Sequence, residues 1–159
     1  MRRMDGTWRS RRPIRLAAEA YRTGDPFHLT ICAAPGVVPF ELPCNAGAVT
    51  RILDPQLRPR AGPVQAYCVM PDHVHTLLIG SPDVVAWACG VKARITTALR
   101  RFGWQGPVWQ RSFCDRCLRD LSGEGLARVA RYIAENPVRR GLSARVEDWP
   151  YWRIADGVG

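Results

Sequence analysis

Three stretches of the chain are rich in β-forming residues, and in the first of them hydrophobic and polar positions alternate. They cover residues 27–33, 64–70 and 73–80, and each is predicted to form a strand. Pro71 and Asp72 separate the last two stretches, and this pair of turn residues predicts a tight hairpin. A further strand is predicted over residues 109–118.

Two other stretches are predicted to form helices. A long helical pattern covers residues 84–102 and stops at Gly103. A second helix is predicted to begin with Ser122 as its N-cap and to end near Asn136, because Pro137 disfavours helical geometry in the residue before it. The hydrophobic residues that recur at helical spacing in this helix are Leu126, Val129, Ala130 and Ile133.

Residues 34–63 contain six prolines, which permit only one short helix, from Asn45 as N-cap to Leu53. The predicted order of elements is therefore β, short α, β, β, α, β, α. Because hairpins and crossovers are mixed, this order indicates an α+β fold, with a ferredoxin-like antiparallel sheet and packed helices.

Length and composition favour one folded domain. The chain has 159 residues, of which 47% are hydrophobic and 23% charged, as in average globular domains. We expect a basic arm over residues 1–24, the domain over 25–153 and a short tail over 154–159. No apolar run reaches the ~18 residues that span a bilayer, and no apolar segment of the kind found in signal peptides follows the first arginines. We therefore expect no membrane span and a cytoplasmic location.

The charge balance is strongly basic. Lysine and arginine number 23 against 14 acidic residues, which leaves a net charge of +9, and Lys92 is the only lysine. The basic residues concentrate in residues 1–24, 92–119 and 128–145. Such clusters favour a polyanion partner, nucleic acid above all. GC-rich coding would produce the same arginine bias, so the charge alone leaves this open.

Six cysteines in a chain without an export signal are expected to be reduced thiols. Cys114 and Cys117 have the spacing of a metal-binding or redox pair. A zinc site of that type requires a second pair at a fixed distance, and the sequence has none. We therefore expect this pair to be structural.

His73 and His75 are the first candidates for chemistry. On a strand, residues two apart project from the same face, so the two imidazoles are expected side by side, where they could chelate a divalent ion. By itself, a His-x-His pair is a weak indication of a metal site. The chain has only three histidines, and two of them lie here.

Tyr132 and Asn136 are four residues apart in the last predicted helix and share one face, at the edge of the hydrophobic stripe. A surface tyrosine followed by an asparagine C-cap would give the same pattern. Arg131, Arg139 and Arg140 flank the pair.

Three segments, taken together and in this order, resemble the REP-associated tyrosine transposases. They are residues 67–79 (YCVMPDHVHTLLI), 106–113 (GPVWQRSF) and 130–142 (ARYIAENPVRRGL). That family belongs to the single-tyrosine HUH transposases, which act on single-stranded DNA. The resemblance covers roughly residues 12–153, whereas residues 34–63 match poorly.

The resemblance implies a catalytic domain of the HUH endonuclease type. It identifies His73 and His75 as the HUH motif, Tyr132 as the nucleophile and Asn136 as the residue that completes a site for Mg²⁺ or Mn²⁺. The implied reaction is DNA nicking and strand transfer through a 5′-phosphotyrosine with a free 3′-OH. The implied partner is single-stranded or hairpin DNA, whose backbone we expect Arg111, Arg139 and Arg140 to contact. Monomer and homodimer both remain open.

Two other functions compete with this one. The sequence from His28 to Ile31 resembles one half of the paired His-x-Thr signature of the 2H phosphoesterases, although the second histidine pair reads His-Val-His. A non-catalytic or domesticated module that only binds nucleic acid would explain the charge and the six tryptophans, which can stack on bases. That reading makes the spacing of the histidines, the tyrosine and the asparagine a coincidence.

Overall fold

The computed structural model describes residues 21, 25–57, 63–79, 83–121 and 123–158. Apart from Tyr21, the expected N-terminal arm lies outside the described residues, as does the predicted cap Ser122. The strands are β1 (Phe27–Cys32), β2 (Val64–Met70), β3 (His73–Leu78), β4 (Cys114–Cys117) and β5 (Trp152–Ile154). The helices are α1 (Pro43–Leu53), α2 (Val84–Arg101), α3 (Gly123–Ala134) and α4 (Asn136–Arg139).

The five strands form one sheet in the order β4-β1-β3-β2-β5, and all neighbours are antiparallel. From β1 to β4 the chain runs β-α-β-β-α-β, which is the ferredoxin-like sequence of elements. The predicted α+β fold with a ferredoxin-like antiparallel sheet is confirmed.

The two faces of the sheet pack against different helices. Because side chains alternate along a strand, Phe27, Leu29 and Ile31 of β1 enter a core with α1 and α2. The opposite face of the sheet contributes Cys68, Met70 and Leu77 to a smaller cluster with α3. In both β1 and β3, the residues that alternate with these core positions therefore project from the second face.

Helix α1 begins two residues before the expected cap. Pro43 occupies the first turn, where its fixed φ suits a helix and its missing N–H is not needed. Asn45, predicted as the N-cap, lies inside the helix and donates from its side chain to the carbonyl oxygen of Pro39 at 2.8 Å. The helix-stop prediction for α2 is confirmed, since Gly103 follows it with a left-handed φ of 86°.

Helical structure also continues beyond the predicted end of α3. Pro137 lies in the first turn of α4 and Glu135 keeps a helical backbone, so the proline starts a new helical turn instead of ending the segment. The side-chain nitrogen of Asn136 donates to the carbonyl oxygens of Tyr132 at 2.9 Å and Ile133 at 3.3 Å. The proline junction therefore fixes Asn136 against the last turn of α3.

Two edge strands differ from the prediction. β4 is confined to Cys114–Cys117, and Trp109 makes only an isolated bridge with Ala33. β5 was not predicted. It pairs with β2 and extends the sheet to Ile154, one residue into the segment expected as a tail.

Cys114 and Cys117 lie opposite Thr30 and Phe27 of β1, respectively. Residues three apart on a strand project from opposite faces, so these two thiols do not converge on one ion. All six cysteines are free in the structure. Within the described residues, no helix is both long and apolar enough to cross a membrane.

Candidate active site

The sheet face under α3 carries a cluster of histidines. The register of β1 against β3 pairs Thr30 with His75 and Cys32 with His73, so alternate residues of the two central strands meet on this face. His73 is 5% exposed and His75 is 8% exposed. The structure therefore brings the two predicted imidazoles together beneath the helix that carries Tyr132.

The two imidazoles face each other through their Nε2 atoms, which are 3.0 Å apart. The other ring nitrogen of His73, Nδ1, lies 2.6 Å from Oδ1 of Asp72 in the hairpin turn. A carboxylate only accepts hydrogen bonds, so Nδ1 of His73 carries a proton, and Nε2 is the nitrogen that has the lone pair when the ring is neutral. The hydrogen bond from His73 holds the pKa of Asp72 below its usual value.

This geometry suits a divalent ion. Two ligands about 2.1 Å from an octahedral ion, and at right angles to each other, are about 3.0 Å apart. A carboxylate on the outer nitrogen of a ligating histidine is the usual arrangement around protein-bound metals. Among the described residues no group of three His, Cys, Asp or Glu side chains has metal-binding geometry, so a third protein ligand must be a different donor.

His28 is a third member of the cluster that the sequence did not predict. Its Nε2 lies 3.1 Å from Nδ1 of His75, and Oγ1 of Thr30 lies at the same distance from that atom. His28 therefore contacts the nitrogen of His75 that faces away from His73. The alternation along β1 put His28 and Thr30 on one face, but only the register of β1 against β3 showed which side chains they meet.

Burial favours the neutral form of His75 and of His28. It lowers the pKa of His75 to about 2 and that of His28 to about 4, and neighbouring positive groups act in the same direction. For His75 these groups include Arg140, and for His28 the largest is Arg116 of β4. Neutral imidazole is the form that binds metal ions.

Tyr132 lies above this cluster on α3, and 44% of its surface is exposed. Its ring centroid is 6.3 Å from that of His28, with the two rings edge to face. The guanidinium of Arg139 lies 5.0 Å from the centre of the Tyr132 ring and also binds Glu135 at 2.8 Å. An exposed phenol, the guanidinium of Arg139 and the imidazole of His28 thus lie together at the surface.

The other three tyrosines have structural surroundings. Tyr67 is fully buried and donates to Asp54, and burial raises the pKa of its phenol. Tyr21 is buried, stacks on Phe27 and donates to Asp115. Tyr151 packs edge to face on Trp149. None of the three shares the position of Tyr132.

Asn136 is 6% exposed and its amide nitrogen is held by α3, so its Oδ1 is the side-chain atom suited to a cation. Arg139 ends the short helix α4, and Arg140 follows as its C-cap. Arg111 lies exposed in the segment before β4. Within the described part of the chain, it makes no contact with the histidines. Of the three predicted DNA-binding arginines, Arg139 lies against the Tyr132 ring, and Arg140 lies close enough to His75 to lower the pKa of that imidazole.

Two cysteines border the histidines on the same face. Cys32 pairs with His73 and Cys68 with His75 in the sheet. Burial raises the pKa of the Cys32 thiol to about 11 and that of Cys68 to about 12. Both thiols are therefore protonated near neutral pH and behave as small apolar groups.

A cleft of about 370 Å³ opens between the start of α1 and the end of α2. Its lining includes Leu42, Phe102 and Trp104, and Phe102 is half exposed. The guanidinium of Arg51 lies 5.8 Å from the centre of the Phe102 ring. Phe40, two residues before Leu42, donates its backbone N–H to the carbonyl oxygen of Pro71 in the turn before β3.

No family model matches the chain. A protein of Haemophilus influenzae that bears the provisional name REP-associated tyrosine transposase is 32% identical over 99 residues, which are 54% of this chain and 55% of that protein. The match thus spans about half the length of that curated relative.

A solved structure of a REP-associated tyrosine transposase bound to a REP hairpin is similar in fold. The TM-score is 0.56 at 20% identity, over 81% of this chain and 76% of that one. The sequence match and the shared fold confirm the resemblance found in the three motifs.

Proposed function

We propose that this chain, which resembles REP-associated tyrosine transposases in sequence and in fold, is a transposase-like enzyme. It cleaves and rejoins single-stranded or hairpin DNA through a covalent bond between Tyr132 and a 5′ phosphate. The observation that carries the proposal is the position of an exposed phenol over His28, whose ring contacts the buried imidazole of His75 on the same face of the sheet.

The reaction exchanges one phosphodiester for another. The Tyr132 oxygen loses its proton and forms a bond to phosphorus, while the bond from phosphorus to the 3′ oxygen breaks. The 3′ oxygen takes up a proton and leaves as a hydroxyl group. A 3′-OH can attack the phosphotyrosine in the reverse sense, so the strand is rejoined without an external energy source.

His73 and His75 would hold a divalent cation through their Nε2 atoms, with Oδ1 of Asn136 as the third ligand. Two imidazoles and an amide oxygen are neutral ligands that leave positions for phosphate and water, which favours weakly held Mg²⁺ or Mn²⁺ over structural zinc. A divalent cation at this site would supply Lewis-acid polarisation of a phosphate oxygen. Asp72 keeps the proton of His73 on the outer nitrogen.

Arg139 is the phosphate-binding residue beside Tyr132 in this proposal. Its guanidinium lies over the Tyr132 ring and can bind the phosphate that Tyr132 attacks. Arg140 adds positive charge at the same end of α4, and Arg111 contributes to the backbone contacts.

The cleft beside Phe102 suits an unpaired base. A half-exposed aromatic ring supplies a stacking surface, and Arg51 supplies charge for the neighbouring phosphate. The Phe102→Ala variant is therefore expected to weaken binding of single-stranded DNA more than of blunt duplex. Leu142→Ala, which removes another exposed apolar side chain, is the matched control.

A denaturing gel tests the reaction. The full chain is mixed with Mn²⁺ and a randomised pool of single strands and hairpins, labelled at the 3′ end in one sample and at the 5′ end in another. A 5′-phosphotyrosine retains the downstream fragment, so only the 3′ label is expected to migrate with the protein. Tyr132→Phe should abolish the adduct while DNA binding survives, and Tyr151→Phe should retain both.

Each alternative has its own result. Cleavage without an adduct would indicate attack by water, and an adduct with the 5′ label would indicate the opposite polarity. An adduct formed by the Tyr132→Phe variant would mean that another residue is the nucleophile. Binding of DNA with no cleavage by the wild-type chain would favour the non-catalytic module.

A further inference from the structure

His75 has two possible protonation patterns, and only one of them leaves its inner nitrogen free. A neutral imidazole has one N–H and one lone pair. With the proton on Nε2, His75 would donate to Nε2 of His73, 3.0 Å away, and neither of these nitrogens could then bind a cation. With the proton on Nδ1, both inner nitrogens present lone pairs to the same point.

Nδ1 of His75 faces two groups that can accept its proton. Nε2 of His28 and Oγ1 of Thr30 each lie 3.1 Å from it, and the rings of His28 and His75 are 5.1 Å apart between centroids. Both acceptors come from β1, where residues 28 and 30 share the face that carries the cluster. The strand thus presents acceptors at the nitrogen that must hold the proton.

We propose that His28, assisted by Thr30, is a positioning residue that shifts His75 toward the form protonated on Nδ1, so that Nε2 is free. This inference rests on the proposed function for the cation site and adds a residue outside the ligands. It gives each inner histidine a fixed partner on its outer nitrogen, namely Asp72 for His73 and His28 for His75. Loss of such an outer partner typically weakens metal binding about 10- to 100-fold.

A pair of substitutions separates the hydrogen bond from packing. His28→Phe keeps a ring and removes the acceptor, whereas His28→Gln keeps a carbonyl oxygen that can take the place of Nε2. We expect His28→Phe to raise the Kd for Mn²⁺ about 10- to 100-fold by calorimetry. We expect His28→Gln to stay within about threefold of wild type.

Imidazole NMR gives a readout that does not involve activity. The chain has three histidines, so ¹⁵N-labelled protein without a polyhistidine tag gives three ring systems to assign. The fraction of His75 protonated on Nδ1 in metal-free protein should fall in His28→Phe and remain in His28→Gln. In Mg²⁺-loaded wild type, a scalar coupling across the hydrogen bond should join Nδ1 of His75 to Nε2 of His28. This measurement needs no variant.

Three results would overturn the inference: no such coupling in the loaded wild type, a His75 tautomer that does not respond to His28→Phe, or an equal loss of Mn²⁺ affinity in the Gln and Phe variants. These outcomes are independent of DNA cleavage. A failure of the Tyr132 adduct would refute the proposed function without changing the tautomer, and the reverse also holds.

Discussion

The two faces of the sheet are built from the same strands and carry opposite kinds of residue. Under α1 and α2, β1 presents Phe27, Leu29 and Ile31, each at most 1% exposed. Under α3 the same strand presents His28 and Thr30, which contact His75. The comparison shows how a strand of six residues can hold a packed core and a polar cluster back to back, with only the alternation of side chains separating them.

The two faces also differ in what their helices leave exposed. On the first face, α1 and α2 seal an apolar core. On the second, α3 covers the cluster near Ala130 and Ile133 but leaves Tyr132 at the surface. The first face therefore contributes to stability, and the second tolerates polar groups whose use is chemical.

Leu29 and His28, neighbours on opposite faces, test this division most strongly. Leu29→Ala should lower the free energy of unfolding by about 2–5 kcal/mol, because it deletes fully buried carbon atoms and leaves a cavity. Folded Leu29→Ala protein should keep the Mn²⁺ affinity of the wild type. His28→Gln should lower stability far less in urea unfolding at neutral pH. Equal losses from both substitutions would contradict a division between packing and chemistry.

The polar face should make the protein sensitive to acid. The pKa of His28 is lowered from 6.5 to about 4 on folding, so between these values the unfolded chain binds a proton that the folded chain does not. The contribution of His28 is fully present above pH 6.5 and is lost as the pH falls toward 4, by about 3 kcal/mol at most. His75 acts in the same direction.

Urea unfolding between pH 7 and pH 4.5 checks this slope. Acidic groups titrate in both proteins, so the comparison is the difference between wild type and His28→Gln, which should flatten the dependence. Parallel curves for the two proteins would show that His28 does not titrate differently in the folded state.

Removal of metal should affect cleavage, which depends on the polar face, far more than stability, which depends on the apolar face. Because the apolar core does not depend on an ion, chelation should stop cleavage and lower the thermal unfolding midpoint by only a few degrees. Mn²⁺ at tenfold its Kd should stabilise the chain by only about 1.4 kcal/mol. If EDTA instead melts the domain in differential scanning calorimetry, the site is structural, and the prediction of a weakly bound catalytic ion is wrong.

The smallest expected effect concerns arginines on the two sides of the sheet. Arg139 lies beside Tyr132, whereas Arg94 lies exposed on α2, across the sheet. Arg139→Ala should reduce the slope of log affinity against log salt for single-stranded DNA by about 0.7, the value for one phosphate contact. Arg94→Ala should change the slope less. If fluorescence titrations show the same change in slope for both variants, DNA binding depends on the overall charge of the protein and neither face of the sheet is preferred.

Much of this arrangement could be predicted from the sequence, since local patterns determine it. The spacing of His73 and His75 on a strand fixed their common face, and the turn at Pro71 and Asp72 predicted the hairpin. The same is true of α2, whose helical pattern stops at Gly103.

Other features depend on contacts between distant segments. His28 joins the cluster only through the register of β1 against β3, which no local pattern encodes. β5 has three residues, too few for a recognisable alternation, and exists because β2 has an edge with which it pairs. The predicted start of α1 is wrong because the helix begins at Pro43 with no side-chain cap.

Mapping of the trapped adduct tests the central claim most directly. After the reaction with single-stranded DNA, nuclease and trypsin digestion leave a nucleotide on one peptide, which mass spectrometry identifies. The account predicts a 5′-linked nucleotide on Tyr132, in the tryptic peptide 132–139, which contains no other tyrosine. A nucleotide on the peptide 146–153, which contains Tyr151, or on a peptide from the packed face would contradict it.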